Sequence, residues 1–412
     1  PLYAPFGVLL TIDSPFLFFW ILSLLLFWEA VTGSDDAGSL RGISGQRSRS
    51  PFLRWSLLGL SVGLGLLTKY TMAFFYPCAL LLLVLSEKRH LLKRPGPYWS
   101  AVLSLLVFSP VVIWNIQHGW VTLKHTAGQA HVSEGLQFSL KYFFEFIGSQ
   151  FGVVTPVIFV LIIVALFKLR KGEPRLQSLF LLAFSVPVIG FFMLKSMQGK
   201  VQANWAMTGY ITGIIALAGL LAREFAAGRG GWAGTSRVVK GGCIGAGLAL
   251  LLTALSHYPQ VLNLPPKLDP SSRLRGWEQL GEEVTRLSGL FHGETPVFLF
   301  SDSYQVASEL AFYVKGQPRT YCINLGRRMN QYDLWPDMNT AADAERRSGR
   351  PVIHGILVRM GDSGMPPLVS QAFEKTEKKR FAVYEGKRLL REYSLFICYN
   401  FKGFSLEKPD TY

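Results

Sequence analysis

The chain has 412 residues, of which half are hydrophobic and only 17% charged, with a positive mean hydropathy of +0.27. That balance excludes an ordinary soluble domain of this length and points to a chain with several membrane spans. The net charge of +15 suggests a nucleic-acid binder only until its distribution is read, because the basic residues cluster in loops between apolar segments.

Taken in chain order, the apolar segments predict helical spans at Pro15–Val31, Trp55–Thr68, Thr71–Leu85, Trp99–Trp114, Phe151–Phe167, Leu179–Leu194, Trp205–Leu221 and Gly241–Ser256. No segment reads as a cleaved signal peptide. The chain starts at Pro1 in mid-pattern, with PLYAPFGVLL running into a span, and it is read as the C-terminal part of a longer protein. Asp13, followed by Ser-Pro, marks a helix start, where backbone N–H groups alone can account for an acid.

The tract Trp55–Ser86 holds about 32 residues, too long for one span of roughly 20 and enough for two short helices back to back. Lys69 interrupts it. A lysine at bilayer depth is costly and therefore a functional candidate, while one at a hairpin tip can simply snorkel to the surface. Leu136–Ile147 alternates large aromatics with Lys141 and Glu145 and predicts an amphipathic helix at the membrane surface.

The loops alternate in charge. One set carries Arg41, Arg47, Arg49 and Arg54; Lys88, Arg89, Lys93 and Arg94; Lys168, Arg170, Lys171 and Arg175; and Arg223, Arg229, Arg237 and Lys240. The other set holds only Lys69, Lys124, Lys141, Lys195 and Lys200. By the positive-inside rule the first set is cytoplasmic, and the alternation works only if Lys69 sits at the tip of a hairpin. The opposite face then gathers Asp13, Lys69, Tyr70, Asn115, His118, Gln150, Lys195, Lys200, Asn204 and Trp205 as candidate site residues. Trp120 and Trp205 fit an interfacial aromatic belt as readily as a ligand surface. His118, His125 and His131 lack a supporting acid cluster, so no metal is expected there.

After His257 the apolar runs shorten and alternate, as in PVFLF, VIHGILV and SLFICYNF, with the polar turn GDSGMPP and the charged, helix-like FEKTEKKR. These predict a soluble α/β domain over 257–412, placed outside the cytoplasm by the same loop count, beside a transmembrane domain over 1–256. Cys322 and Cys398 in strand-like contexts can pair in an oxidising compartment, although buried free thiols suit their spacing better.

The strings TIDSPFLFFW, GLGLLTKYT, RPGPYW, SPVVIWNIQHGWVT, EFIGSQFGVVTP and VQANWAMTGY, in this order, resemble landmarks of bacterial membrane glycosyltransferases. The family includes the protein O-mannosyltransferases and the lipid A aminoarabinose transferases, in the glycosyltransferase C superfamily. GWEQL and the segment YQVASELAFYVKGQPRTYCINLGRRMNQYDLW are similar to the C-terminal domain of the same group. The resemblance implies a polytopic helical bundle with a C-terminal α/β domain in the bacterial inner membrane, that domain being periplasmic. It implies transfer of a sugar from a polyprenyl-phosphate donor to a lipid, glycan or protein acceptor at the outer face, with no cofactor or divalent metal.

The resemblance implies that Lys69, or else the loop lysines Lys195 and Lys200, would face the donor phosphate, and Asn115 and Asn204 the sugar hydroxyls. The family's principal catalytic acid lies in its first outer loop, to which nothing in this sequence corresponds. Asp13 matches a later, supporting acid in T-x-D-x-P. The base is therefore expected upstream of Pro1, and the chain alone is expected to be inactive. A polytopic transporter or lipid flippase is the alternative, though one Gly-rich hairpin without a second copy argues against it. A non-catalytic membrane partner is the third reading.

Overall fold

The computed structural model describes residues 11–33, 50–129, 138–170, 174–227, 236–265, 268–291 and 295–405. The chain divides into two units, Pro1–Tyr258 and Pro259–Tyr412. The first is a helical bundle and the second a small α/β domain.

Among the described residues of the bundle, α1 (Asp13–Thr32), α2 (Pro51–Thr68), α4 (Pro95–Gln117), α8 (Arg175–Ser196), α9 (Met207–Ala227) and α10 (Arg237–His257) are apolar helices; each is long enough to cross a membrane, α9 together with the 3-10 turn before it. The remaining helices are α3 (Phe75–Leu85), α5 (Val121–Gln129), α6 (Leu140–Val154) and α7 (Pro156–Leu169).

Side-chain neighbours fix the helix directions. Gly96 lies against Trp55, Gly59 against Ser100, and Gly63 against Ser104 and Val107, so α2 and α4 run parallel. The chain between them must cross back, which makes α2 and α3 the two arms of a hairpin around Lys69. The return arm departs from the predicted uniform helix. It opens as a 3-10 turn, Tyr70–Phe74, and only then becomes α3, because Lys69 is extended at φ −156°, ψ 130°. Phe27 of α1 meets Phe180 of α8 while Trp20 meets Phe184, so those two helices are antiparallel. Gly213 packs on Ile162 and Gly245 on Ile158, so α7 and α9 descend together while α10 rises. Asp13, Lys69, Asn115, Lys195, Asn204 and His257 therefore share one end of the bundle. Arg54, Lys93, Arg94, Arg175, Arg223 and Arg237 share the other.

Small residues make these close approaches possible. Gly59 and Gly63 on α2 face Ser100 and Ser104 on α4, and an added Cβ at Gly63 would stand 2.6 Å from the Cβ of Val107. Lipid tails are as apolar as leucine, so van der Waals packing across small-residue faces drives such pairing. The spaces left between helices are filled by a buried aromatic cluster of Trp20, Phe27, Phe75, Phe180 and Phe184.

The predicted span Phe151–Phe167 is corrected. Val154 ends α6, Thr155 adopts φ 72°, and α7 leaves at 97° to it. A proline disfavours helical geometry in the preceding residue, and the Thr155 side chain accepts from the Ile158 N–H to start the new helix. With 14 residues, α7 rises only about 21 Å, short of a hydrocarbon core of roughly 30 Å. The predicted Leu136–Ile147 helix is found from Leu140 on as the first part of α6, which buries Phe146, Gln150, Val153 and Val154 and exposes Leu140 and Phe144; residues 136–137 lie outside the described residues.

The C-terminal unit carries α11 (Trp277–Ser288), β1 (Val297–Ser301), α12 (Tyr304–Tyr313), β2 (Thr320–Cys322), α13 (Met338–Arg347), β3 (His354–Met360), α14 (Pro367–Ala372), β4 (Phe373–Glu385) and β5 (Arg388–Phe401). The sheet order is β2-β1-β3-β5-β4, parallel across β2, β1 and β3 and antiparallel beyond. Helices α11 and α12 pack on one face and α13 and α14 on the other. The charged stretch FEKTEKKR, read as helical, is the edge strand β4. Its antiparallel ladder with β5, closed by the turn at Gly386, outweighs its weak strand propensity, and its lysines protect an open edge. Cys322 and Cys398 are buried and unpaired. They sit on β2 and β5, three strands apart, which is about 14 Å across the sheet against a disulfide limit of about 7 Å between Cα atoms.

Candidate functional site

The α1 helix opens at Asp13, whose carboxylate turns inward instead of capping its own helix. Lys69 Nζ lies 2.5 Å from Asp13 Oδ1, and Asn204 Nδ2 donates to Asp13 Oδ2 at 2.8 Å. Three segments separated by 56 and 191 positions thus meet on one carboxylate. The side chains of Lys69 and Asp13 are 12% and 6% exposed. At so low an exposure neither charge is solvated well, and only the pairing makes their burial tolerable.

Local structure explains how Lys69 reaches this point. Gly65 lets Met72 fold back on α2, since a Cβ there would come within 2.8 Å of the Met72 side chain. The Lys69 carbonyl accepts from Met72 N–H and its own N–H donates to Gly65, so the backbone is satisfied through the break. The ammonium also lies 5.6 Å from the ring centre of Phe16, one helical turn beyond Asp13. Phe16 in turn packs edge-on against Trp20, whose indole N–H is buried without a partner among the described residues. The charged cluster therefore caps the aromatic core of the bundle.

Asn204 is presented by a 3-10 turn, Ala203–Ala206, ahead of α9. Gln150 braces that turn. Its amide donates to the Ala203 carbonyl at 3.4 Å, and its carbonyl accepts from the Tyr210 hydroxyl at 3.1 Å. Trp205 meets Phe192 edge-on. Tyr210 is the residue that sequence reading missed here; it lies one turn inside α9, and only its hydroxyl in an apolar span marks it.

The other sequence candidates lie at the same end but make contacts of their own. Asn115 is buried and holds the end of α4, donating to the Val111 carbonyl and accepting from Thr122 N–H. His118 stacks on Trp114 at 4.1 Å. Trp120 has φ 61° and caps the turn after α4 through its N–H to the Asn115 carbonyl. Tyr70 packs on Phe108. Lys195 donates to Gln198 at 3.0 Å, and Lys200 is exposed. Of these candidates the structure brings Asp13, Lys69 and Asn204 into contact, with Gln150 and Trp205 beside Asn204, and gives the others separate partners. Among the described residues no group of three His, Cys, Asp or Glu side chains comes together. His131 lies outside the described residues.

Residues 1–114 match the family model described as dolichyl-phosphate-mannose-protein mannosyltransferase. That stretch contains both Asp13 and Lys69. The chain is also 32% identical over 215 residues to the lipid A galacturonosyltransferase RgtD of Rhizobium johnstonii (strain DSM 114642 / LMG 32736 / 3841). Over these stretches the chain is similar to membrane glycosyltransferases. The aligned stretch is 52% of this chain and 42% of that relative, so less than half of the relative's length is spanned. No solved structure matches significantly. The chain is accordingly a multi-pass membrane protein whose only buried contact between Lys69 and a carboxylate, among the described residues, is the one with Asp13.

Proposed function

We propose that the chain forms part of an enzyme that transfers a sugar from a polyprenyl-phosphate carrier to an acceptor at the outer face of the bacterial inner membrane. The observation that carries this reading is the convergence of Lys69, Asp13 and Asn204 at one end of the bundle, opposite the basic loops. The acceptor favoured is lipid A, because the relative's name says that it transfers galacturonic acid to lipid A; a glycan or protein acceptor is the broader class. The C-terminal unit is then periplasmic, and the reaction needs no cofactor or metal from this chain.

The chemistry asks for two things. As the acceptor oxygen bonds to the anomeric carbon, the bond from that carbon to the phosphate oxygen breaks, and the departing phosphate gains charge. The acceptor hydroxyl loses its proton to a carboxylate base. An ammonium has three N–H donors, and Asp13 engages Lys69 through one carboxylate oxygen, so the same lysine can hold a lipid phosphate as a point charge. Poorly solvated, that charge acts strongly on the leaving group. Asp13 and Asn204 then position Lys69 and the sugar.

A second reading has its own support. The ion pair satisfies itself, and Asp13 and Lys69 join the ends of α1 and α2, as an interhelical clamp would. Polyprenyl phosphate binding by the purified chain in detergent micelles, followed by native mass spectrometry, separates the two. The donor-site reading expects Lys69→Met to weaken binding at least tenfold and Lys69→Arg to restore it in part. The paired change Asp13→Asn with Lys69→Met removes both charges and should restore folding but not binding. Binding by that double variant equal to the native chain overturns the donor site and leaves the clamp.

A further inference from the structure

The C-terminal unit holds a cavity of about 390 Å³ beside edge strand β2, closed by residues 329–340 and by Phe404. We infer that this cavity binds a pyranose sugar. The inference stands on this unit alone and is separate from the proposed role of Lys69 and Asp13.

Three features of the lining point to a hydroxyl-rich, uncharged ring. The first is an aromatic platform: Trp335 is 51% exposed despite its size, and it stands edge-on to Tyr332 at 5.2 Å. A pyranose presents one face of C–H groups that stacks on such a ring, while its hydroxyls point outward to polar partners. Second, polar groups are available around that platform. Among the described residues the Tyr321 hydroxyl and the Trp335 indole N–H have no hydrogen-bond partner, and the Arg319 guanidinium spends one N–H on the Pro336 carbonyl while lying over the Tyr321 ring. Donors and acceptors at the wall of a half-apolar cavity are the usual means of orienting a small ligand.

The third feature is the charge balance, which disfavours a phosphate or carboxylate. Asp337 caps the N-terminus of α13, so the positive end of that helix is already met by a carboxylate. Asp333 takes both Arg327 and Asn324, and it accepts from the Asn330 N–H. The Arg327–Asp333 pair is thus neutral as a whole, with Arg327 braced against the Cys322 sulfur, which leaves Arg319, partly committed to the Pro336 carbonyl, beside the Asp337 carboxylate. The charges around the cavity therefore balance, so an anion entering here would meet no net positive charge, and a neutral ring needs none. The volume lies at the small end of ligand cavities, suited to a monosaccharide or disaccharide.

Saturation-transfer NMR on the full chain in detergent micelles tests this, using the methyl pyranosides of glucose, galactose and mannose as probes. The expected result is transfer to the ring C–H protons of at least one pyranoside. Trp335→Ala should reduce it at least tenfold, and Trp335→Phe should retain most of it because a flat ring remains. Trp335 is exposed, so its truncation leaves the fold intact, which the amide spectrum of the variant checks. Trp335 lies in the C-terminal unit and has no part in the membrane-site reading, so failure of that reading would leave this result standing. Absence of transfer to all three pyranosides, equal transfer in Trp335→Ala, or displacement of the sugar by millimolar inorganic phosphate would each overturn the assignment.

Discussion

In the bundle, Lys69 and Asp13 pair with side chains 12% and 6% exposed, whereas Lys375 and Glu377 on the edge strand of the C-terminal unit pair at 67% and 46%. The same chemistry has different consequences in the two places. On the strand edge water screens both charges, and the pair contributes little beyond keeping the edge soluble. At the head of the bundle water is scarce, so each charge depends on its partner, and removal of one strands the other. Packing differs in parallel. The bundle brings helices together on Gly59, Gly63, Gly209 and Gly213, while the sheet is sandwiched by large side chains such as Phe300, Leu357, Tyr393 and Phe396. Without a hydrophobic force between helices in lipid, close approach does the work that apolar burial does in water.

The most forceful way to break this comparison is to remove the Lys69 charge alone. Lys69→Met should destabilise the bundle by about 3–5 kcal/mol, as expected for an orphaned buried carboxylate. Combining Lys69→Met with Asp13→Asn should recover most of that loss. Lys375→Met, by contrast, should change stability by no more than about 0.5 kcal/mol. Unfolding in mixed detergent micelles, read separately for the two units by hydrogen exchange, measures all three. Equal losses for Lys69→Met and Lys375→Met would show that the buried pair is as well solvated as the surface one.

Packing offers a second test of intermediate size. Gly63→Val places branched carbon atoms against Val107 and the Ser104 carbonyl and should cost about 1–3 kcal/mol through overpacking. Gly219 lies in α9 with nothing within 4 Å of an added Cβ. Gly219→Ala should therefore stabilise that helix by about 0.5–1 kcal/mol, the usual difference between the two residues inside a helix. Opposite signs at two glycines of the same bundle would tie the effect to helix contact. Equal signs would refute it.

Much of this arrangement is legible in the sequence because charge is so rare in the spans. Alternating basic loops give the direction of each helix, and they require the turn at Lys69 that the neighbours of Gly59 and Gly63 also require. Asp13 and Lys69 stand out for the same reason. Their direct pairing is not legible, since nothing local says which of several polar residues at one end will touch; Lys195 and Asn115 are as polar as Asn204 yet bond elsewhere. The break at Thr155 has a local signal in Thr-Pro that the apolar run around it obscures. In the C-terminal unit the reading of FEKTEKKR fails because local composition favours a helix while pairing with β5 decides the outcome. The cavity at β2 draws on residues 319–340 and Phe404, and a concavity made by a returning tail leaves no periodic trace.

The smallest expected effect sharpens the comparison at its other end, where a charge is partly buried in the water-soluble unit. Glu283 on α11 accepts from Arg286 on its own helix and from Lys379 on β4, so it ties the helix to the edge strand. The Arg286 hydrogen bond, with further help from Lys379 and against the opposing effect of burial, holds its carboxyl down at about 2. Because the folded value lies below the ordinary one, the contribution to stability is fully present above the unfolded carboxyl range. It is lost as the pH falls from about 4.5 through about 2. Partial solvent screening reduces it to about 1 kcal/mol at neutral pH. Glu283→Gln should therefore speed hydrogen exchange of α11 and β4 amides near pH 7 by about fivefold, after correction for the intrinsic pH dependence, with the difference from the native chain closing as the pH approaches 2. The variant keeps the shape and a hydrogen-bonding carbonyl, so a loss that persisted unchanged at low pH would assign the effect to packing. A loss as large as that from Lys69→Met would show that a partly exposed triad in water constrains the fold as tightly as the buried pair at the head of the bundle.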